Sequence, residues 1–267
     1  MNKSKAKKAK PARGKVRSGG QATLDPLPTR KFSQTDAAVD LIRSKIIGLS
    51  LAPGSKLDEP LLVNQFKLGR TPAREAINRL VAEGLVSIFP NRGGTFVRGL
   101  DLPEIGEVMI AYQLVETVLG QLCRFDDPGL VFDLENIQAR YVREVEAKSF
   151  LGITFVNEEF HLRMHRSIGN AFFYEFALST HRHVRRLLVL LYNMEAAEKN
   201  VLESQLKINL GEHEGIIDAI RRADRSALSE LLPKHARQAQ VRLQNVLSGR
   251  VPALSLDELS ARPARYD

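Results

Sequence analysis

From Ser33 onward, "SQTDAAVDLIRSKIIGLSL" sets Ala38, Leu41, Ile42, Ile46 and Leu49 at helical spacing among polar residues, which predicts an amphipathic helix. Pro53 and Gly54 then break it. A shorter helix is predicted over Glu59 to Phe66, and a third from about residue 70 to 83. In that third helix Ala73, Ala76, Ile77 and Leu80 share one side, while Arg74, Glu75, Asn78 and Arg79 fall on the other. Gly84 is well placed to stop it. Two short β-type runs follow, Leu85 to Phe89 and Thr95 to Arg98, around a turn holding Gly93 and Gly94, which is a hairpin signal. Three helices and a hairpin in this order predict a winged helix-turn-helix.

Beyond Leu102 the pattern contains no convincing strand. Amphipathic helices are predicted over about 103–124, 129–147, 150–168, 171–194, 198–222 and 225–248. Breaks fall near Pro128, Gly152, Gly169 and Ala223-Asp224. The expected fold class is therefore mainly α: a winged helix-turn-helix at 32–99, a hinge at "GLDLP" and an all-α bundle of about six helices at 103–248. Tails are expected at 1–31 and 249–267, the first disordered and the second poorly packed.

Charge sharpens that division. Residues 1–31 hold ten Lys/Arg against one acid, giving +9; residues 33–99 hold nine against six, giving +3; the rest holds 20 against 24, giving −4. The net +8 is thus mainly a basic tail, which can attract nucleic acid without reading its sequence or can simply aid solubility. Apolar content of 43% and charged content of 26% are those of a soluble globular protein. The longest uninterrupted apolar run, Leu187 to Tyr192, is far too short for a membrane span, and no apolar h-region follows the basic N-terminus. The single cysteine, Cys123, excludes an internal disulfide framework and fits a reducing cytoplasm; it reads as a buried helix residue.

Candidate chemistry concentrates in two places. In "LGRTPAREAINRL" Thr71 can cap a helix and Pro72 can open one, which would put Arg70 and Arg74 at the positive end beside free backbone N–H groups. Such an end meets phosphate well, and arginine reads guanine bidentately. Taken alone, a solvated basic face fits slightly better than a DNA-reading helix. In the second domain His161, His213 and His235 each lie on an apolar stripe of a separate helix: His161 with Phe160, Met164 and Ile168, His213 with Leu206, Leu210 and Ile217, His235 with Leu228, Leu232 and Ala239. Convergence on a divalent metal and three satisfied core histidines both remain open from spacing. His165, His181 and His183 read as less informative. "HLRMH" lacks the glutamate of a zincin helix, and "HRHVRR" (181–186) reads as a solvated basic face.

The stretch from "IIGLSLAPGSKL" to "GGTFVRGL" resembles GntR-family transcription regulators of the FadR-like branch. The match is carried by Pro53-Gly54, Arg70-Thr71-Pro72, Arg74-Glu75-Ala76, Leu80, Glu83-Gly84-Leu85-Val86, Arg92-Gly93 and Phe96-Val97. The family's usual serine before Arg-Thr-Pro is Gly69 here. The resemblance implies DNA contacts from Arg70, Thr71 and Arg74, with Asn78 on the same exposed face, and a wing tip containing Arg92, Gly93 and Gly94. The helical part is similar to the FCD effector domain, through Asn157, Phe160-His161, Ser167, Asn170, His213 and His235. This implies a divalent metal, of zinc, nickel or manganese type, held by His161, His213 and His235 with Asn157 as fourth group. It also implies a small carboxylate effector completing the site. Where the family often has an effector-gripping arginine on the first helix of this domain, this chain has Tyr112 or Gln113.

The resulting expectation is a cytoplasmic, homodimeric transcriptional regulator, more simply a repressor, that binds a palindromic double-stranded DNA operator and responds to a metabolite. The rival from another class is a metal-dependent hydrolase or lyase built on the His161/His213/His235 cluster. Against it, no Asp, Glu or Lys recurs beside the histidines in a recognisable general-base position.

Overall fold

A computed structural model of the chain describes residues 33–90, 93–196 and 199–248. The tails expected at 1–31 and 249–267, and Arg92 at the wing tip, lie outside the described residues. The winged helix-turn-helix consists of α1 (Gln34–Ile47), α2 (Glu59–Phe66), α3 (Arg70–Ala82), β1 (Val86–Phe89) and β2 (Gly94–Val97). Ser33 opens α1 with a capping box: its Oγ accepts from the Asp36 N–H at 3.0 Å, and the Asp36 carboxylate accepts from the Ser33 N–H at 3.2 Å. Asp58 caps α2 through the Leu61 N–H, and Lys67 ends it in the left-handed region at φ 57°. The turn to α3 is then completed by Gly69, which caps α3 without a side-chain bond. Thr71 is therefore not the cap, and Pro72 sits at the third helical position. It still forfeits only an N–H that has no intrahelical partner.

The core of this part is the predicted apolar stripe: Ala38, Ile42 and Ile46 from α1, Leu62 from α2, and Ala73, Ala76 and Leu80 from α3 are all fully buried. Fully burying an Ile or Leu side chain contributes roughly 1.5–3 kcal/mol. The hairpin pairs Val86 with Val97 and Phe89 with Gly94. Residues 54–57 lie along the free edge of β2, with Leu57 N–H donating to Thr95 O and Val97 N–H donating to Ser55 O, both at 2.9 Å. Gly84, at φ +73°, turns the chain from α3 into β1.

The second part, among the described residues, is six helices: α4 (Leu102–Leu122), α5 (Leu130–Glu146), α6 (Phe150–Ser167), α7 (Ala171–Glu195), α8 (Lys199–Arg221) and α9 (Arg225–Ser248). α4 packs along α9 and against α7, α6 lies between α5 and α7, and α8 packs on α9 and α5. The α4–α9 approach is close at Gly120, where an added Cβ would stand 2.9 Å from the Ser229 Cα. Cys123 is buried at the end of α4, as expected.

α7 also faces the winged helix. Glu83 accepts from Arg43 of α1 at 2.6 and 2.8 Å and has Arg182 of α7 at 3.5 Å. Arg186 donates from Nη2 to the Arg98 carbonyl at 2.8 Å. The expectation that 181–186 forms a solvated face is thus incorrect: His181, Val184 and Arg186 are buried. Burial lowers the Arg186 guanidinium to about 10. Six residues rich in charge read as surface, but α7 is sandwiched between α4, α6 and α1, so half of its turns point inward.

Candidate functional site

On α3, Arg70, Thr71, Arg74 and Asn78 are all exposed, opposite the buried Ala73, Ala76, Ile77 and Leu80. Arg74 rests on Glu59 of α2, with Nη2 2.9 Å from Oε2, and 71% of its side chain remains accessible. An exposed pair of this kind is worth about 0–1 kcal/mol, so it does not bar Arg74 from another anion. At the wing, Gly93 has φ +69°, a conformation that favours glycine, and the position is open. Phe89 and Phe96 stack edge to face behind it at 5.9 Å. Basic side chains and a helix N-terminus without a side-chain cap thus share the exposed face of α3, and the hairpin belongs to the same small domain.

In the helical part the three stripe histidines converge. His161 on α6, His213 on α8 and His235 on α9 have ring centroids 5.1–6.0 Å apart, and one ligand nitrogen of each falls within 4.8 Å of the others. All three are buried. Each ring is held at Nδ1 by an oxygen from another helix or turn: His161 by Glu116 at 2.7 Å, His213 by Gln138 Oε1 at 3.0 Å, His235 by Glu212 at 2.7 Å. For His213 the amide oxygen can only accept, so Nδ1 carries the proton there and Nε2 is left as a lone pair; carboxylate acceptors favour the same tautomer in the other two. Nε2 of His161 and Nε2 of His213 are buried without a hydrogen-bond partner. Histidine metal ligands are oriented in this way, the second nitrogen donating to a carboxylate or carbonyl. Burial lowers His161 to about 4 and His213 well below its usual range, so both imidazoles are neutral at physiological pH. The donor set fits a divalent metal ion of zinc type.

Asn157, one turn before His161, is buried and lines a small polar cavity beside His235, together with Tyr112, Asn209 and Arg242. Tyr112 is buried, with its ring edge-on to His161 and His181 at 6.2 and 5.4 Å. Gln113 does not belong to this cavity; its amide donates to Gln240 on α9. Of the two first-helix candidates only Tyr112 reaches the site, because successive residues of α4 point about 100° apart. Arg242 of α9 lines the cavity and bonds Glu195 through Nε at 3.0 Å and Nη2 at 2.5 Å, its guanidinium 5.3 Å from the Tyr192 ring centre.

A second polar cluster adjoins the first. Glu116 of α4 is fully buried; its Oε1 lies 3.1 Å from both His165 Nε2 and His181 Nε2, and those two nitrogens are 3.4 Å apart. Burial alone would raise the Glu116 carboxyl, but the interaction with His161 and the hydrogen bonds of His161, His165 and His181 outweigh it and hold it well below the ordinary carboxylate range. His165 and His181 are thus core residues at the site. Glu116 and Glu212 are acids in contact with imidazole, each as the partner of an Nδ1 atom. Local signals were available: Glu116 is one helical turn after Tyr112, His165 is one turn after His161, and Glu212 directly precedes His213.

Comparison with known proteins matches both parts. Residues 34–97 match the model of the bacterial regulatory proteins of the gntR family, and residues 110–238 match the FCD domain. The chain is similar to the gluconate operon transcriptional repressor of Bacillus licheniformis, 29% identical over 77% of this chain and 83% of that one. It is 31% identical, over 55% of this chain and 91% of the other, to an uncharacterized HTH-type transcriptional regulator in the TAR-I ttuE-ttuC' intergenic region of Agrobacterium vitis. The solved structure of E. coli McbR/YncC shares its fold, with a TM-score of 0.63 at 18% identity, covering 80% of this chain and 98% of that one. These are regulators, so the rival expectation of a metal-dependent hydrolase or lyase gives way despite the acids beside the histidines. With a winged helix-turn-helix followed by an FCD domain, the chain belongs to the GntR family of DNA-binding transcriptional regulators.

Proposed function

We propose that this protein is a homodimeric repressor whose affinity for a palindromic operator is set by a small organic acid bound next to a metal centre in the helical domain. The observation that carries the reading is the shared arrangement of His161, His213 and His235, each anchored at Nδ1 by an oxygen, with Nε2 of His161 and His213 unpartnered in the core. These three would hold the metal, with Asn157 as the neutral fourth group. A bound divalent ion supplies a Lewis-acidic anchor for a carboxylate oxygen.

The chain's own residues define the rest of the effector site. Tyr112 presents a hydroxyl with a pKa raised well above its usual value by burial, so it acts as a hydrogen-bond donor at neutral pH. Asn209 adds an amide, and Arg242 a guanidinium already shared with Glu195. An acid with further polar groups suits this lining better than a purely apolar one. The relative from Bacillus licheniformis is named for a gluconate operon, and a polyhydroxy acid is of that kind.

On the DNA side Arg70, Thr71, Arg74 and Asn78 face outward on α3, with Gly93 and Gly94 at the wing. One short helix reads few base pairs, and two copies related by a dyad read a palindrome. Coupling runs through α7. It carries His181 at the site, Arg182 against Glu83 and Arg186 against the Arg98 carbonyl, so a shift of α7 on effector binding would move the winged helix with it.

The test is fluorescence anisotropy on a palindromic fragment recovered by selection from random DNA. Sequence-specific binding that weakens by tenfold or more in Arg70→Ala/Arg74→Ala, and falls with added salt, is expected. Specific binding kept at full strength in that variant would overturn the recognition-helix assignment.

A further inference from the structure

Glu116, His165 and His181 come from three helices, α4, α6 and α7, and none of them belongs to the His161/His213/His235 triad. Their approaching atoms form a tight triangle: 3.1 Å from Glu116 Oε1 to each Nε2 and 3.4 Å between the two nitrogens. All three side chains are buried, at 0–1% accessibility. Donor atoms that share a tetrahedral ion, at bond lengths of about 2.0–2.2 Å, stand about 3.3–3.6 Å apart, and this triangle lies within a few tenths of an ångström of that. A direct bond between the two imidazoles would use one N–H and one lone pair and leave Glu116 Oε1 a single donor. Alternatively two N–H groups converge on the one oxygen.

His165 offers its remaining nitrogen to nothing: Nδ1 is buried without a partner, so all the polar chemistry of this ring passes through Nε2. Two imidazoles and one carboxylate, closed off from water, are the donor set of a zinc-type site that keeps a position open.

We propose that Glu116, His165 and His181 form a second divalent-metal site, adjacent to the His161/His213/His235 centre and joined to it through the Glu116 carboxylate. Glu116 Oε1 ligates the second ion while Oε2 accepts from His161 Nδ1, so one carboxylate serves as ligand of one centre and as outer support of the other. The ion taken is a borderline-soft divalent cation such as Zn2+, Co2+ or Ni2+, which imidazole and carboxylate bind together. Ligation at His165 Nε2 leaves a proton on its unpartnered Nδ1, an unfavourable contribution that lowers the affinity of this site relative to the triad, whose Nδ1 atoms are all supported. The two sites therefore fill in order, triad first.

The experiment is a Co2+ titration of the metal-free full-length protein followed by visible absorption, with zinc content after reloading measured by elemental analysis. Two ions per protomer, bound in two resolved steps, are expected for the wild type. His181→Asn is expected to hold one ion and lose the weaker step; His213→Asn is expected to hold one and lose the tighter step. The wild-type titration needs no variant, and circular dichroism checks that each variant folds. One ion per protomer, kept in His181→Asn and lost in His213→Asn, would overturn the second site and leave the triad standing. One ion lost in His181→Asn and kept in His213→Asn would uphold the new site and remove the triad. Saturation of the wild type at one ion that either variant abolishes would mean a single shared centre and overturn the proposal, and no bound ion would overturn both sites.

Discussion

The Oε2 atom of Glu116 lies 2.7 Å from Nδ1 of His161, and neither side chain is accessible to solvent. This contact fixes the ring so that Nε2 faces His213 and His235, and it ties α4, the first helix of the effector domain, to the centre of the bundle.

Replacing the charged acceptor should loosen that ring without removing a triad residue. Glu116→Gln is expected to weaken the tighter metal-binding step roughly 10- to 100-fold, the usual effect of losing the carboxylate that supports a metal-bound imidazole. Competition against a chromophoric chelator measures it, and unchanged affinity would show that Glu116 does not orient His161.

Metal removal should register as stability. An ion present at 100 times its dissociation constant adds about 2.7 kcal/mol to the folded state. Chelator is therefore expected to lower the melting temperature of the wild type by several degrees and to have a smaller effect in His213→Ala. Equal melting curves with and without chelator, and no metal by elemental analysis, would leave these histidines as core residues.

His183 should make the packing of α7 on the winged helix sensitive to acid. Burial, with the Arg186 and Arg98 charges, lowers its pKa to about 4. The unfolded chain, with an ordinary value near 6.5, therefore takes up this proton before the folded protein does. Its contribution is complete above pH 6.5, falls as pH drops toward 4, and changes no further below that. The loss amounts to about 3 kcal/mol. In urea denaturation, His183→Gln is expected to flatten the stability profile between pH 6.5 and 4 relative to the wild type; parallel profiles would refute it.

Gly120 should be intolerant of bulk. A Cβ there meets the Ser229 Cα at 2.9 Å and the Leu228 carbonyl at 3.2 Å, both backbone atoms that cannot swing aside. Gly120→Val is expected to force α4 and α9 apart and destabilise the fold by roughly 1–3 kcal/mol or more. Chemical denaturation reads this directly.

Much of the architecture was legible because its determinants are local. The period of Ala38, Ile42 and Ile46 marks α1, and glycine at 84 marks the end of α3 and the turn into β1. Ends were less legible where two residues compete for one role, as Gly69 and Thr71 do at the start of α3. The inward stripes of His161, His213 and His235 were visible for the same reason: each histidine sits among apolar residues of its own helix.

What the chain alone could not reveal is what meets across helices. Arginine-rich "HRHVRR" reads as surface until α4, α6 and α1 close over α7 and bury His181 and Arg186. Glu116 lies 45 residues from His161 and 65 from His181, yet its carboxylate bonds both. Arg242, on α9, lines the same cavity as Tyr112 and Asn157, although 130 residues separate it from Tyr112. Helical period and turn chemistry depend on residues a few positions apart, so the sequence by itself determined the order of elements, their buried faces and the family's DNA-reading stretch. Convergence of side chains depends on how helices cross, which is decided by packing over the whole domain. Only the tertiary structure therefore placed Glu116 among three histidines, chose Tyr112 over Gln113 and brought Arg242 to the cavity.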